Sequence, residues 1–106
     1  MIISIDYDGT FTRDVSFWRN FCQWVKTCGH TIILTTGRGD SDADRQEIRN
    51  TIEIDIPVIF AGKRWKREIA LEAGYNVDIW IDDMPEFVSD MATKPQSELW
   101  KPGNKR

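Results

Sequence analysis

Two cysteines, Cys22 and Cys28, and a single histidine, His30, leave this chain without material for a zinc knuckle or a disulfide framework. The cysteines fall within one helical pattern, at a spacing that suits neither role, and read as free thiols in a reducing cytosol. His30 follows Gly29 and precedes a strand pattern, so it reads as a surface residue without chemistry. No apolar run approaches the ~20 residues of a membrane helix, so no membrane partner is expected. Met1 opens into a strand pattern with no basic leader, so no signal peptide is expected and the cytoplasm is the expected compartment. Charge of one sign is lacking too. Fourteen Lys and Arg against 17 Asp and Glu leave a net charge of -3, which gives no global field for nucleic acid or an anionic membrane. At 106 residues and 41% hydrophobic content, one domain with a single core is expected.

Aromatic residues are plentiful instead: five Trp, five Phe and two Tyr, most of the tryptophans being expected in the core. Residues 2–6 read as a first strand. From Val15 to Cys28, Trp18, Phe21, Val25 and Cys28 recur at helical spacing, with Asp14 as N-cap and Gly29 as the stop. Residues 31–35 read as a second strand, 40–54 as a polar helix, and 56–60 as a third strand with Pro57 near its start. A helix over 66–73 capped at Gly74, a strand over 77–81 and a short helix over 86–91 follow. Residues 98–100 read as a fifth, edge strand, and 102–106 as a frayed tail. Alternating strands and helices predict βαβ units and an α/β fold, a three-layer Rossmann-like sandwich on a parallel sheet of four to five strands. The expected division is a catalytic core over 1–93 and a C-terminal segment over 94–106.

In such sheets ligands bind outside the carboxyl ends of the strands. Polar residues gather at those ends here: Asp6 and Asp8 after the first strand, Thr36 after the second, Asp82 and Asp83 after the fourth. Two like charges about 4 Å apart repel by roughly 4 kcal/mol at an effective dielectric near 20. A chain tolerates the Asp6–Asp8 pair most readily where a cation or a reaction needs it. An EF-hand loop fails, because Thr10 and Phe17 stand where its fifth and twelfth ligands belong. A plain strand-end turn, with Asp8 supporting Gly9, remains open. Thr36-Gly37-Arg38 ahead of a helix suits a phosphate cradle or a simple turn. Asp83 and Glu86 have capping-box spacing, which leaves Asp82 unexplained. Lys63, Arg64, Lys66 and Arg67 crowd a helix start that is already positive, and that cost favours a functional role for at least one of them.

Over roughly residues 1–91, Asp6-x-Asp8-Gly9-Thr10, then Thr36-Gly37-Arg38, then Lys66, then Ile81-Asp82-Asp83 resemble the ordered motifs of the haloacid dehalogenase (HAD) superfamily of aspartyl-phosphate phosphohydrolases. The chain also looks like small, phage-type members and the phosphatase domain of polynucleotide kinase-phosphatases, which carry a similar Ser/Thr-Gly-Arg segment. The resemblance implies Asp6 as nucleophile and Asp8 as general acid and base. It implies Mg²⁺ held by Asp6, the Asp8 carbonyl and Asp82, with Asp83 helping directly or through a second sphere. Thr36 and Lys66 would hold phosphoryl oxygens, with Lys63 as the alternate lysine. Gly37 and Arg38 would bind substrate, Arg38 at a second phosphate or the leaving group. The presence of Asp8 favours phosphate transfer over carbon–halogen cleavage.

Between Asp8 and Thr36 the chain has room for one helix and one strand, and between Phe60 and Lys66 for a short loop. No cap domain fits, so an open site is expected, unless a neighbouring subunit covers it. The expected substrate is a phosphomonoester, of a nucleotide or a polynucleotide end, with Trp65 or Trp18 available for stacking. Two rivals stand beside this reading. A receiver-like module would carry its phosphoacceptor after the third strand, where Phe60-Ala61-Gly62 has no Asp. A binding domain that kept the fold without chemistry would have little reason to retain Asp6, Asp8, Thr36, Lys66 and Asp82 together.

Overall fold

The apolar run before the acidic pair becomes strand β1 (Ile2–Ile5), whose Ile3, Ser4 and Ile5 are all buried, as an interior strand requires. In the computed structural model, which describes residues 1–90, three further strands form: β2 (Thr31–Thr36), β3 (Val58–Phe60) and β4 (Ile79–Ile81). All pair in parallel, in the order β3-β2-β1-β4, with Ile5 opposite both Leu34 and Ile81. Chain order runs outward from β1 through β2 to β3, then returns to the far side of β1 as β4. The crevice between β1 and β4 is therefore the point where connections diverge, the usual ligand site of an open α/β sheet.

Helix α1 (Val15–Thr27) starts where Asp14 accepts a hydrogen bond from the Phe17 N–H at 3.2 Å, and it stops ahead of Gly29, whose φ of 85° suits glycine. Helix α2 (Asp42–Ile52) begins two residues later than the composition suggested, because Ser41 rather than Asp40 is its cap: Ser41 Oγ accepts from the Asp44 N–H at 3.1 Å. Helix α3 (Lys66–Glu72) gives way to Gly74 at a φ of 96°. The pleat sends alternate residues to two apolar clusters. Ile3, Ile5, Ile32 and Leu34 pack with Cys22 and Val25 of α1 and Ile48 and Ile52 of α2. Ile33 and Ile59 pack with Ile69 and Ala70 of α3 and with Val77. Each such fully buried aliphatic side chain contributes roughly 1.5–3 kcal/mol.

Several expected boundaries move for local reasons. Pro57 has no N–H for a ladder, so β3 starts at Val58, although the Pro57 carbonyl still accepts from the Leu34 N–H at 2.9 Å. Strand β4 starts at Ile79, since the Asp78 carboxylate takes the Ile2 N–H at 2.7 Å. Of the short helix expected over 86–91, the described residues form a 3₁₀ turn, Pro85–Phe87, after which the Val88 carbonyl accepts from the Arg67 N–H at 2.8 Å. Of the four described tryptophans, Trp18 and Trp80 are half-buried and pack against the two apolar clusters, whereas Trp24 and Trp65 are exposed. Cys22, not Cys28, faces the core; both are free thiols, and burial pushes the Cys22 thiol up to about 11. Among the described residues no helix is long and apolar enough to cross a membrane. The fifth strand, the tail and the segment 94–106 lie outside the described residues.

Candidate functional site

Because Asp6 directly follows β1 and Asp82 directly follows β4, parallel pairing brings both to the mouth of the same crevice. The Asp6 N–H extends the ladder by donating to the Ile81 carbonyl at 2.9 Å. Lys66 reaches between the two carboxylates: its Nζ donates to Asp6 Oδ1 at 2.7 Å and to Asp82 Oδ2 at 2.5 Å. Asp6 and Lys66 are only 6% and 5% exposed, so neither charge is stabilised mainly by water. Lys66, rather than Lys63, is the lysine built into the centre.

Asp83 completes the group. Asp6, Asp82 and Asp83 each offer a carboxylate oxygen within 4.8 Å of the others. Thr10 links two of them, its hydroxyl lying 3.3 Å from Asp6 Oδ2 and 3.4 Å from Asp83 Oδ1. Gly9 permits this approach. Its φ is +81°, and a Cβ there would lie 2.3 Å from Asp83 Oδ2. Neither Thr10 nor Gly9 stood out in the sequence beyond forming a turn. The alternative capping box of Asp83 and Glu86 does not form: the Pro85–Phe87 turn has no side-chain cap, and the Met84 N–H donates to Asp82 Oδ1 at 2.9 Å.

Two carboxylates on one ammonium, with the exposed Asp83 beside them, leave excess negative charge around the buried Asp6. Burial raises the Asp6 carboxyl to about 6, opposed by its bond to Lys66 and reinforced by Asp83 and Asp82. For Lys66, burial acts to lower the value, but its bonds to Asp6 and Asp82 outweigh that and hold the ammonium above its ordinary range. An all-oxygen, anionic donor set suits a hard divalent cation such as Mg²⁺, whose charge would offset the excess. The donor chemistry fits, and the same geometry fits other hard cations.

Asp8 points elsewhere. Arg38 grips its carboxylate with two bonds, Nε to Oδ2 at 2.9 Å and Nη2 to Oδ1 at 2.8 Å. The same guanidinium reaches Asp44 and Glu47 on α2, each at 2.9 Å, and lies 5.1 Å from the Tyr7 ring centroid. Asp8 first, then Glu47, hold Arg38 firmly charged. The Asp8 carboxylate therefore stands outside the carboxylate group, and Arg38 is engaged by protein acids instead of standing open to a second phosphate. Asp44 and Glu47 were missed in the sequence because α2 reads as a solvated helix. Their one signal is helical spacing with Thr51, whose hydroxyl and Glu47 both accept from the Tyr7 hydroxyl, at 3.0 and 3.1 Å.

Thr36 is fully buried at the end of β2, where its hydroxyl accepts from the Arg38 N–H at 3.2 Å. It fixes the turn that brings Gly37 to the surface of the site. A cleft of about 500 Å³ is lined by Asp6, Asp8, Gly37, Lys66, Asp82 and Asp83, and on its outer part by Lys63 and Trp65. Of the cation run, Arg64 pairs with Glu68 and Glu72 along α3, leaving Lys66 as the one inserted into the acidic centre. No known protein family matches this chain, and no curated protein or solved structure matches it either.

Two outcomes follow from this geometry. In metal-free protein the Asp6 carboxyl should titrate at about 6, a midpoint that carboxyl NMR can read. Its folded value lies above its unfolded one, so its contribution to stability is full below about pH 4 and lost as pH rises through 6. A midpoint at or below 4 in metal-free protein contradicts the account. Gly9→Ala forces a left-handed conformation and a clash with Asp83, and chemical denaturation should show a loss of at least ~1–2 kcal/mol. Unchanged stability would mean that Asp83 is not held against Gly9.

Proposed function

We propose that this chain is a Mg²⁺-dependent phosphohydrolase of the haloacid dehalogenase type, acting on a phosphomonoester through an aspartyl-phosphate. The supporting observation is the meeting of Asp6 and Asp82 on Lys66 Nζ, beside Asp83, at the crevice between β1 and β4. On this reading the domain is a three-layer Rossmann-like sandwich without a cap. The stretch from Asp8 to Thr36 holds only a 3₁₀ turn, α1 and β2, and a short turn joins β3 to α3. An open site of this kind admits a nucleotide or polynucleotide end in the cytoplasm of a phage-type system, unless a second subunit covers it.

Asp6 attacks phosphorus through a carboxylate oxygen, the bond from phosphorus to the leaving oxygen breaks, and Asp8 donates its proton to that oxygen. A water then attacks the phosphorus of the aspartyl-phosphate and gives its proton to Asp8. The bond to Asp6 breaks, inorganic phosphate leaves, and both aspartates return to their starting forms. Lys66 keeps the Asp6 carboxylate ionised and then offers its ammonium to a phosphoryl oxygen. Asp6, Asp82 and Asp83, with the Asp8 carbonyl, would hold Mg²⁺, which when bound supplies positive charge against the charge developing on the phosphoryl oxygens. Thr36 supports the Gly37 turn beneath the phosphoryl group. Arg38 orients Asp8, which must leave that grip to reach the leaving oxygen.

The bidentate Arg38–Asp8 pair favours one rival, a binding domain that keeps the fold without turnover, because it holds the Asp8 carboxylate on a protein cation. Hydrolysis of an aryl phosphate separates the two. Turnover should require Mg²⁺, stop with EDTA, and fall at least about a thousandfold in Asp6→Asn, which keeps an acceptor for Lys66 and folds normally. Equal rates in Asp6→Asn and wild type would exclude the aspartyl-phosphate route. Asp8→Asn provides a second check through leaving-group chemistry. It should slow an alkyl phosphate by roughly 10²–10⁴, and a nitrophenyl phosphate much less, because a good leaving group needs little protonation. Equal losses on the two substrates would remove Asp8 from the acid role.

A further inference from the structure

Eight large apolar side chains are exposed among the described residues, and three of them, Trp65, Met84 and Phe87, line the cleft that holds Asp6, Lys66, Asp82 and Asp83. They are 39%, 44% and 53% exposed. Chain continuity ties two of them to the chemistry. Trp65 immediately precedes Lys66, and Met84 immediately follows Asp83, so each leaves the backbone one residue from a group of the centre. Phe87 ends the 3₁₀ turn that the Val88–Arg67 backbone bond anchors to the start of α3. Water-facing aromatic and thioether groups cost free energy unless something covers them, and a cleft that reaches charged groups at its floor is where a ligand does so.

Resting on the phosphohydrolase reading, we infer that Trp65, Met84 and Phe87 form a subsite for a planar aromatic group on the phosphomonoester whose phosphorus sits at Asp6. A tryptophan face and a phenyl ring give a flat platform for stacking, and a thioether packs well against a ring edge. The volume of about 500 Å³ is far more than a phosphoryl group needs and accommodates an aromatic ring attached to it directly or through a sugar. Lys63 lines the same cleft and adds positive charge along the path of an anionic ester, against an acidic floor that by itself repels it. A purely polar ester such as glycerol phosphate leaves this apolar lip wet. Two sources carry the required chemistry, a nucleoside monophosphate and a phosphorylated tyrosine.

Steady-state kinetics on the full chain with Mg²⁺ test the subsite, using a nucleoside monophosphate, phosphotyrosine and glycerol phosphate. The ratio of kcat/KM for the better aromatic ester to that for glycerol phosphate should be at least about tenfold in wild type. It should fall roughly tenfold in Trp65→Ala and in Phe87→Ala, and recover in Trp65→Phe, in line with the usual effect of removing one stacking ring. The better of the two aromatic esters identifies the source. A wild-type ratio near one, or a ratio that neither alanine variant moves, overturns the subsite while leaving the phosphohydrolase reading intact. Should no ester turn over, that reading fails, and calorimetric titration of the nucleoside monophosphate and of phosphotyrosine into Asp6→Asn decides the subsite separately. Binding that is lost in Asp6→Asn/Trp65→Ala supports it, and no binding overturns it.

Discussion

One buried ammonium holds the carboxyl ends of two strands together. Lys66 Nζ is the shared partner of Asp6, at the end of β1, and of Asp82, at the end of β4. Without it the crevice would contain three carboxylates, with Asp6 buried and Asp82 half-buried, and their repulsion would oppose the short ladder of three residue pairs that joins the strands. The excess charge that remains raises the Asp6 carboxyl and makes the site a natural host for a hard cation. The same feature thus serves stability and, on the proposed function, chemistry. The groups that keep the crevice closed are the ones that would hold the phosphoryl group.

Around this centre the fold separates two kinds of acid. Asp6, Asp82 and Asp83 face one another, from the buried Asp6 out to the exposed Asp83, whereas Asp8 is turned outward into the fork of Arg38, itself held by Asp44 and Glu47 of α2. Two carboxylates two residues apart in sequence therefore have opposite environments, one dominated by burial and one by a cation. On the proposed function, such separation would let one aspartate act as nucleophile while its neighbour handles protons. The Arg38 network also ties the turn after β2 to α2, so the loops around the cleft are braced from below.

Much of this arrangement was legible in the chain. The alternation of strands and helices, the caps at Asp14 and Gly29, and the position of polar residues at strand ends follow from local patterning and from the geometry of parallel sheets. The clustered cations at a helix start point to a role for at least one of them, and it is the resemblance that chooses Lys66, with Lys63 as the alternate. What stayed hidden depends on tertiary geometry. Nothing local says that Arg38 turns toward Asp8, because its other partners, Asp44 and Glu47, lie on a helix that looks merely solvated. Gly9 reads as a turn glycine, and only its approach to Asp83 shows that the missing side chain makes room for a carboxylate. The capping-box spacing of Asp83 and Glu86 offers an alternative that only the structure removes, since the Asp82 carboxylate takes the Met84 N–H. Trp24 and Trp65 are exposed although large aromatics favour cores, and at Trp65 the exception coincides with the cleft.

The most direct measurement is the mass of the protein quenched in acid during turnover of a phosphomonoester with Mg²⁺, followed by peptide mapping. The account predicts a single added phosphoryl group on Asp6, acid-stable but lost in hydroxylamine, and absent from Asp6→Asn. Turnover with no phosphoryl group on the protein, or with one on a residue other than Asp6, would contradict it.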